Sequence, residues 1–145
     1  MTYRLSFEPA DQQLDLIHAF LSGAYWSIGI PRHIVEKAIA SSICVGMFEA
    51  QEDGSEEQVA FARVISDCAT FAYLNDVFVL PAHRRKGLAR QMIEALQARE
   101  DLHGLRRWVL FTKDMQPVYA RLGWTPYPYP PERLMIREMP EGPQP

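Results

Sequence analysis

Three consecutive cations at 84–86 are followed by Gly87 and lie between an apolar stretch, 71–80, and residues with helical periodicity. This pattern predicts a strand, a cationic turn and the first turn of a helix. The first N–H groups of a helix have no partner within it, and the helix macrodipole makes that end partly positive. With three cations beside it, such an end is suited to a pyrophosphate, and a glycine lets the anion approach the backbone. The alternative is a solvated basic turn that only begins a surface helix.

Other phosphate-binding and metal-binding patterns do not fit this chain. Gly87 is followed by Leu88 and Ala89, whereas a P-loop needs Gly-Lys-Ser/Thr to hold phosphates and magnesium. A dinucleotide fingerprint needs three spaced glycines, which this segment lacks. The four histidines and two cysteines have no ligand spacing, so we expect no metal.

Hydrophobic periodicity predicts the strands and helices that must position this turn. Apolar patterns predict strands at 3–7, 43–50, 58–66, 70–80, 108–112 and 134–139. Helical spacing predicts four helices, of which three begin after Asp11, at Pro31 and after Gly87 and the fourth extends over 117–122. Asp11 or a neighbouring residue would be the N-cap of the first helix. Because a helix joins strands 70–80 and 108–112, these two should run parallel. The order of elements predicts an α+β fold around one mixed sheet.

Composition and charge limit the kinds of protein this chain can be. Its 145 residues suit one domain over 1–145, with a frayed end at 140–145. A formal net charge of −3 argues against general nucleic-acid binding, which needs a broad cationic face. No apolar run approaches about 20 residues, so we expect no membrane span, and the absence of a signal-peptide pattern favours a cytoplasmic location. Cys44 and Cys68 lie in apolar surroundings and are expected to be buried, reduced thiols.

Two motifs together resemble the GNAT superfamily of N-acetyltransferases. The acetyl-CoA signature of that family is Gln or Arg, two residues, Gly, one residue, then Gly or Ala, and here it reads Arg84-Arg85-Lys86-Gly87-Leu88-Ala89. Its second feature is a tyrosine four residues before the glycine of a Leu-Gly-aromatic triplet, and here it reads Tyr119-Ala120-Arg121-Leu122-Gly123-Trp124. The resemblance implies one GNAT-like domain, in which helices cover both faces of a mixed, mostly antiparallel sheet.

The resemblance also implies a reaction and a binding mode. A primary amine would attack the thioester of acetyl-CoA directly in a ternary complex, without a covalent enzyme intermediate. In the family, the strand before the signature splays from the next parallel strand, and the pantetheine arm lies in that gap. Phe78, Val79 and Leu80 would then offer backbone groups to the arm and the thioester. An N–H aimed at the thioester oxygen would stabilise the negative charge that develops there.

Two residues are candidates for moving protons. The Tyr119 phenol is protonated at neutral pH and could give a proton to the leaving thiolate, although it could instead only pack against the sheet. Asp76 is a carboxylate within an apolar strand, which is unusual. Strict alternation would place Asp76 on the same face as Leu74 and Phe78. Its role stays open between a base for the amine, an anchor for a cationic amine, and a structural group at a strand distortion.

The acceptor is expected beside the loop between the first two helices, by resemblance to the family. Tyr25 and Trp26 are the candidates there, and a Trp26 that only covers the core is the alternative. The partners implied are acetyl-CoA and an amine of a small molecule or a protein. We expect the protein to bind neither nucleic acid nor a membrane. Whether it forms a homodimer is left open. Two rival functions remain, namely a non-catalytic acyl-CoA-binding module on the same fold and a structural or interaction domain.

Overall fold

The structure is a computed structural model that describes residues 2–139. Five strands form one sheet, and they are β1 (Tyr3–Ser6), β2 (Ile43–Ala50), β3 (Glu56–Ser66), β4 (Phe71–Val79) and β5 (Arg107–Val109). Their order across the sheet equals their order in the chain. The first three pairings are antiparallel and β4 pairs with β5 in parallel, which confirms the predicted mixed sheet and its parallel pair.

Helices cover both faces of the sheet, as predicted. They are α1 (Leu14–Leu21), α2 (Arg32–Ala40), α3 (Leu88–Gln97) and α4 (Gln116–Ala120). On one face, which we call the α1/α2 face, the two helices pack against Phe61 and Phe78. On the opposite face, the α3 face, the apolar side of α3 packs against β2, β3 and β4, and Tyr119 of α4 joins this core. No helix within residues 2–139 is long and apolar enough to cross a membrane.

The start of α1 differs from the prediction. Pro9–Asp11 form a short 3₁₀ turn, and α1 begins only at Leu14, after an N-cap Gln13 whose side chain makes no capping bond. The Asp11 carboxylate instead accepts a hydrogen bond of 2.6 Å from the Ser6 hydroxyl, which prevents it from capping the helix. Local helix signals therefore placed the N-terminus too early.

Two further predictions are wrong. Cys44 is buried as expected, and burial raises the pKa of its thiol to about 11, but Cys68 is exposed. Cys68 lies in the turn between β3 and β4 and has a left-handed φ of 57°. Residues 67–70 of this turn are all exposed, so no apolar core surrounds the Cys68 side chain. The expected strand at 134–139 does not form, and a 3₁₀ turn over Pro131–Arg133 precedes residues without regular structure. Residues 134–139 are all exposed, so their apolar side chains have no core against which a strand could pack. The expected fraying at 140–145 lies outside the described residues.

A bulge in β4 changes which side chains share a face. The pairs Phe61–Phe78 and Arg63–Asn75 show that β4 contains one more residue than β3 over this stretch. Asp76 takes up the extra residue with a left-handed φ of 53°. As a result, Leu74 lies in the α3-face core, whereas Phe78 lies in the α1/α2-face core. The prediction from strict alternation that Leu74 and Phe78 share a face is therefore wrong.

Candidate active site

Strand β4 has an open edge over most of its length. Within the described chain its pairing with β5 covers only Phe71–Tyr73, so the stretch that continues to Val79 has no strand beside it on that side. The Leu80 N–H donates to the Val59 carbonyl of β3 at 2.8 Å and thus points away from this edge. Because backbone groups alternate along a strand, those of Val79 point towards the open side. Of the three predicted backbone contacts, Val79 is therefore the one whose N–H can reach a ligand in the gap.

The side chains of the same three residues hold the strand in place. Phe78 is 4% exposed and stacks on Phe20 of α1 with ring centroids 4.0 Å apart. Val79 packs against the α3-face core and Leu80 against the α1/α2-face core. Packing on both sides fixes the direction in which the Val79 backbone faces.

The cationic turn follows β4 immediately and leads into α3. A 3₁₀ turn over Pro81–His83 precedes it, and Arg84 Nε donates to the Val79 carbonyl at 3.0 Å, which ties the turn to the end of β4. Arg85 and Gly87 both have left-handed φ values, 63° and 74°. A side chain built at Gly87 would meet no atom within 4 Å, so open space lies above this backbone. The turn thus presents its backbone to solvent.

The predicted binding motif divides into exposed and buried parts. Arg84, Arg85 and Lys86 are exposed, whereas the Leu88 side chain is buried and Ala89 is half-buried. The first hydrogen bond of α3 runs from the Gln91 N–H to the Gly87 carbonyl, which leaves the N–H groups of residues 88–90 at the free helix end. The cations and these N–H groups can therefore act on one anion, while Leu88 anchors the helix.

A half-buried polar cluster at the 3₁₀ turn was missed in the sequence. The Tyr3 hydroxyl is 2.9 Å from His83 Nδ1, and Glu49 Oε2 lies 3.9 Å from the same nitrogen. Burial and the Glu49 carboxylate raise the pKa of Tyr3. The cluster connects β1 and β2 to the 3₁₀ turn that precedes the cations. No sequence signal joins these residues, because Tyr3 and His83 are 80 positions apart.

Tyr119 lies on α4, which follows β5 in the chain. Its side chain is 8% exposed, and its ring is edge-on to Trp124 at 5.9 Å. The Tyr119 carbonyl accepts hydrogen bonds from the N–H groups of Leu122 and Trp124, which explains the spacing of the motif. Burial raises the pKa of the phenol to about 12, and the nearby Tyr25 phenol adds to this rise. The hydroxyl therefore keeps its proton well above neutral pH, and it makes no hydrogen bond to another residue in 2–139.

Asp76 forms a half-buried network at the bulge of β4. Its Oδ1 accepts a hydrogen bond of 2.8 Å from Trp26 Nε1, and its Oδ2 accepts one of 2.7 Å from Arg63 Nε. The side chains of Arg63 and Asp76 are 14% and 11% exposed. Arg63 also donates to the Ser42 hydroxyl at 3.1 Å. Arg63 was missed, although a cation within the apolar stretch of β3 is as unusual as the carboxylate that pairs with it.

The loop between α1 and α2 joins this network to Tyr119. Tyr25 is exposed and packs edge-on against Trp26 at 5.1 Å. The Lys113 ammonium, from the segment between β5 and α4, lies 5.3 Å from the Tyr25 ring centroid. Tyr25 also lies close enough to Tyr119 to raise its pKa. The structure therefore brings Tyr25, Trp26 and Asp76 into direct contact with one another in sequence, and Tyr25 lies near Tyr119.

Trp124 packs behind Tyr119, and its Nε1 donates to Gln97 of α3 at 2.8 Å. It thus supports α4 from the side of the α3-face core. Among residues 2–139, no group of three or more His, Cys, Asp or Glu side chains has a geometry that could hold a metal ion.

Comparisons with known proteins find one family for this chain. The family described as Acetyltransferase (GNAT) domain matches residues 24–126. A protein of Gibberella zeae named "Putative acetyltransferase FG08082" is 34% identical over 86% of this chain and 80% of its own length. A crystal structure from Xanthomonas campestris pv. campestris, described as a "putative acetyltransferase belonging to the gnat family", is 46% identical with a TM-score of 0.88, over 97% of this chain and 95% of that one. A Clostridium acetobutylicum structure, described as a predicted acetyltransferase with acetyl-CoA, shares the fold at 17% identity and a TM-score of 0.62, over 94% of this chain and 95% of that one.

The match to the family covers the open edge of β4, the cationic turn and Tyr119, which are the features that the geometry brings together. This chain therefore belongs to the GNAT family of acetyltransferases and is an N-acetyltransferase of that family.

Proposed function

We propose that this protein transfers an acetyl group from acetyl-CoA to a primary amine by direct attack in a ternary complex. The observation that carries the proposal is the open edge of β4, which leads directly into the cationic turn at the free end of α3. The cationic turn suits a pyrophosphate, and Tyr119 of α4 supplies a protonated phenol. Acetyl-CoA has an anion and a thioester at opposite ends of an extended arm, and it would supply the activated acetyl group.

The residues present fit such a ligand. Open space above Gly87, three exposed cations and the free N–H groups of α3 would receive the pyrophosphate. The open edge of β4 can accept an extended chain with amide groups as a further strand would pair. The Val79 N–H would donate to the thioester oxygen and stabilise the negative charge that develops during attack.

Tyr119 is the proposed general acid. Its phenol has a pKa of about 12 and is fully protonated at neutral pH, so it has a proton to give to a departing thiolate. Tyr25 and Trp26 would border the acceptor, because their loop lies between the Asp76 network and Tyr119. The amine must arrive unprotonated, since its lone pair forms the new bond.

For Asp76 we favour a positioning role. Both carboxylate oxygens accept hydrogen bonds from side chains, one from Trp26 and one from Arg63. The carboxylate would therefore hold the acceptor loop on the β4 bulge. The role as base stays a prediction, and a pH profile distinguishes the two roles. Because the amine itself must be unprotonated, kcat/KM keeps the acidic limb of the amine in either case. Loss of a base from Asp76→Asn removes only the further limb that belongs to the base, whereas loss of positioning lowers kcat/KM by the same factor at every pH.

The first test is a thermal shift with acetyl-CoA. A ligand at a hundredfold excess over Kd stabilises the folded chain by about 2.7 kcal/mol. We expect this shift in the wild type and its loss in Gly87→Glu, because the new carboxylate would occupy the proposed phosphate site. Gly54→Glu is the matched control, since Gly54 also has a left-handed φ and open space but lies in the β2–β3 turn. The absence of a shift in folded wild type would refute acetyl-CoA binding.

The second candidate is a non-catalytic acyl-CoA-binding module on the same fold. It would show the thermal shift but release no CoA with any amine. If transfer occurs, initial rates are measured while acetyl-CoA and amine are both varied. Intersecting lines in the double-reciprocal plot support the ternary complex, and parallel lines would indicate a covalent intermediate instead. The cytoplasmic location and the lack of nucleic-acid and membrane partners stay predictions.

A further inference from the structure

A cavity of about 380 Å³ lies beside the Asp76 network, between α2 and the α1/α2 face of the sheet. Most of its lining is aliphatic or aromatic, and the apolar residues on the helices and their loop are Leu21, Ile30, Ile34, Val35, Ala38 and Ile39. Ser41 and Ser42, which follow α2, add two hydroxyl groups to the wall. On the sheet side it is bordered by Phe61, Arg63, Ile65 and Asp76. Phe61 is fully buried and Ile65 is 44% exposed, so the cavity extends from the core to the surface.

The only charged groups that line the cavity among the described residues are Arg63 and Asp76, and they neutralise each other at 2.7 Å. The carboxylate that could attract a second ammonium group is therefore already paired with a buried guanidinium. A charged group placed in this cavity would lose its hydration without gaining a free counter-charge. An apolar group would gain from leaving water.

Asp76 links the cavity to the proposed acceptor loop. It forms part of the cavity wall and accepts the hydrogen bond from Trp26, whose neighbour Tyr25 lies near Tyr119. A molecule with its body in the cavity and its reactive group beyond Asp76 would therefore reach the loop that carries Tyr25 and Trp26. The volume is in the range of small-ligand pockets, about 300–1,000 Å³, and suits a body of several carbons.

We propose that the acceptor is a small monoamine with an apolar body, which occupies the cavity between α2 and the sheet. This inference rests on the proposed acetyl transfer and names its substrate class. It disfavours polyamines, because their second ammonium group would lie in a cavity whose only carboxylate is paired. The main determinants of specificity would be the small Ala38 of α2 and the exposed Ile65 of β3.

The test measures kcat/KM for ethylamine, butylamine and hexylamine with saturating acetyl-CoA. Each buried CH₂ is worth about 0.8 kcal/mol, so kcat/KM should rise about fourfold per methylene until the cavity is full. Hexylamine should also exceed 1,5-diaminopentane, which has the same number of heavy atoms but a second ammonium group. A flat series, or a preference for the diamine, would overturn the proposal.

A pair of variants on one helix tests the location. Ala38→Leu fills the cavity and should flatten the alkylamine series while acetyl-CoA still raises the melting temperature. Ala40→Leu is the matched control, because Ala40 is exposed on the same helix and does not line the cavity. The control should keep the full series. If both variants keep it, the apolar body binds elsewhere and the proposal is overturned.

The outcomes separate this inference from the function on which it rests. Acetyl transfer to amines without dependence on chain length refutes the apolar acceptor and leaves acetyl transfer intact. Acetyl-CoA binding without transfer to any amine favours the binding module and removes the acceptor altogether. No acetyl-CoA binding by the folded protein refutes the proposed function, and the inference falls with it.

Discussion

Replacing Tyr119 with phenylalanine separates the proposed proton donor from a packing role, because the change removes one oxygen and keeps the ring. The ring packs edge-on against Trp124 at 5.9 Å, and that contact survives the substitution. The lost hydroxyl makes no hydrogen bond to another residue in 2–139, so no buried partner is left unsatisfied. At pH 7 we therefore expect the free energy of unfolding to change by less than about 1 kcal/mol.

The effect on catalysis should be much larger than the effect on stability. A positioned general acid contributes a factor of about 100 to 10,000, so kcat of Tyr119→Phe should fall by that amount. KM for acetyl-CoA should change little, because the Gly87 turn is untouched. The assay follows release of free CoA with a thiol reagent at saturating amine. A wild-type kcat in Tyr119→Phe refutes the assignment.

The burial of the Tyr119 phenol has its own test at alkaline pH. Burial, with a smaller effect of Tyr25, raises its pKa from 10.0 to about 12. Between these values the unfolded chain loses the proton first, so stability falls as the pH rises through this window. The loss is about 1.4 kcal/mol by pH 11 and about 2.3 kcal/mol by pH 12, and it approaches its full value of about 2.7 kcal/mol only above pH 12. Tyr119→Phe lacks this loss. In urea unfolding, the free energy of unfolding of the variant relative to the wild type should therefore be higher at pH 11 than at pH 8. Equal alkaline losses in both proteins would mean that the phenol is not buried in solution.

Arg63→Met leaves the Asp76 carboxylate buried without its cation, so urea titration should show a loss of about 3–5 kcal/mol. The double variant with Asp76→Asn should lose less than the sum of the single variants, and strict additivity would contradict the pairing. Tyr3→Phe removes the hydrogen bond to His83 beneath the cationic turn, so KM for acetyl-CoA should rise about three- to tenfold at constant kcat, and a fall in kcat alone would count against this link. Gly46→Ala places a Cβ 2.5 Å from a buried glutamine amide, and thermal unfolding should show a loss of about 1–3 kcal/mol, whereas an unchanged Tm would disprove the close packing.

Features that depend on neighbouring residues were predictable from the sequence. Gly87 follows cations and precedes a helical pattern, and it has the left-handed conformation that such a turn requires. The tyrosine motif was also predictable, because hydrogen bonds from Leu122 and Trp124 to the Tyr119 carbonyl need only the residues of the motif. In both cases a few adjacent positions contain the whole physical cause.

Features that depend on distant residues were not predictable in the same way. Asp11 satisfied the helix-cap rule, but the Ser6 hydroxyl competes for its carboxylate. The extra residue at Asp76 reverses the faces of the strand, and strict alternation contains no information about bulges. Tyr3 and His83 meet only because the sheet brings β1 beside the turn that follows β4.

The pairing of Arg63 with Asp76 lies between these cases. Each is a charge within an apolar strand, and the two strands were predicted to be joined through the short turn at 67–69. The hairpin register that pairs Ser66 with Ala72 continues to pair Arg63 with Asn75, directly next to Asp76. Two anomalous charges of opposite sign at neighbouring positions of one hairpin predict an ion pair, because either charge alone would be costly to bury. A candidate base in an apolar strand is therefore best assessed only after the neighbouring strand has been searched for its counter-charge.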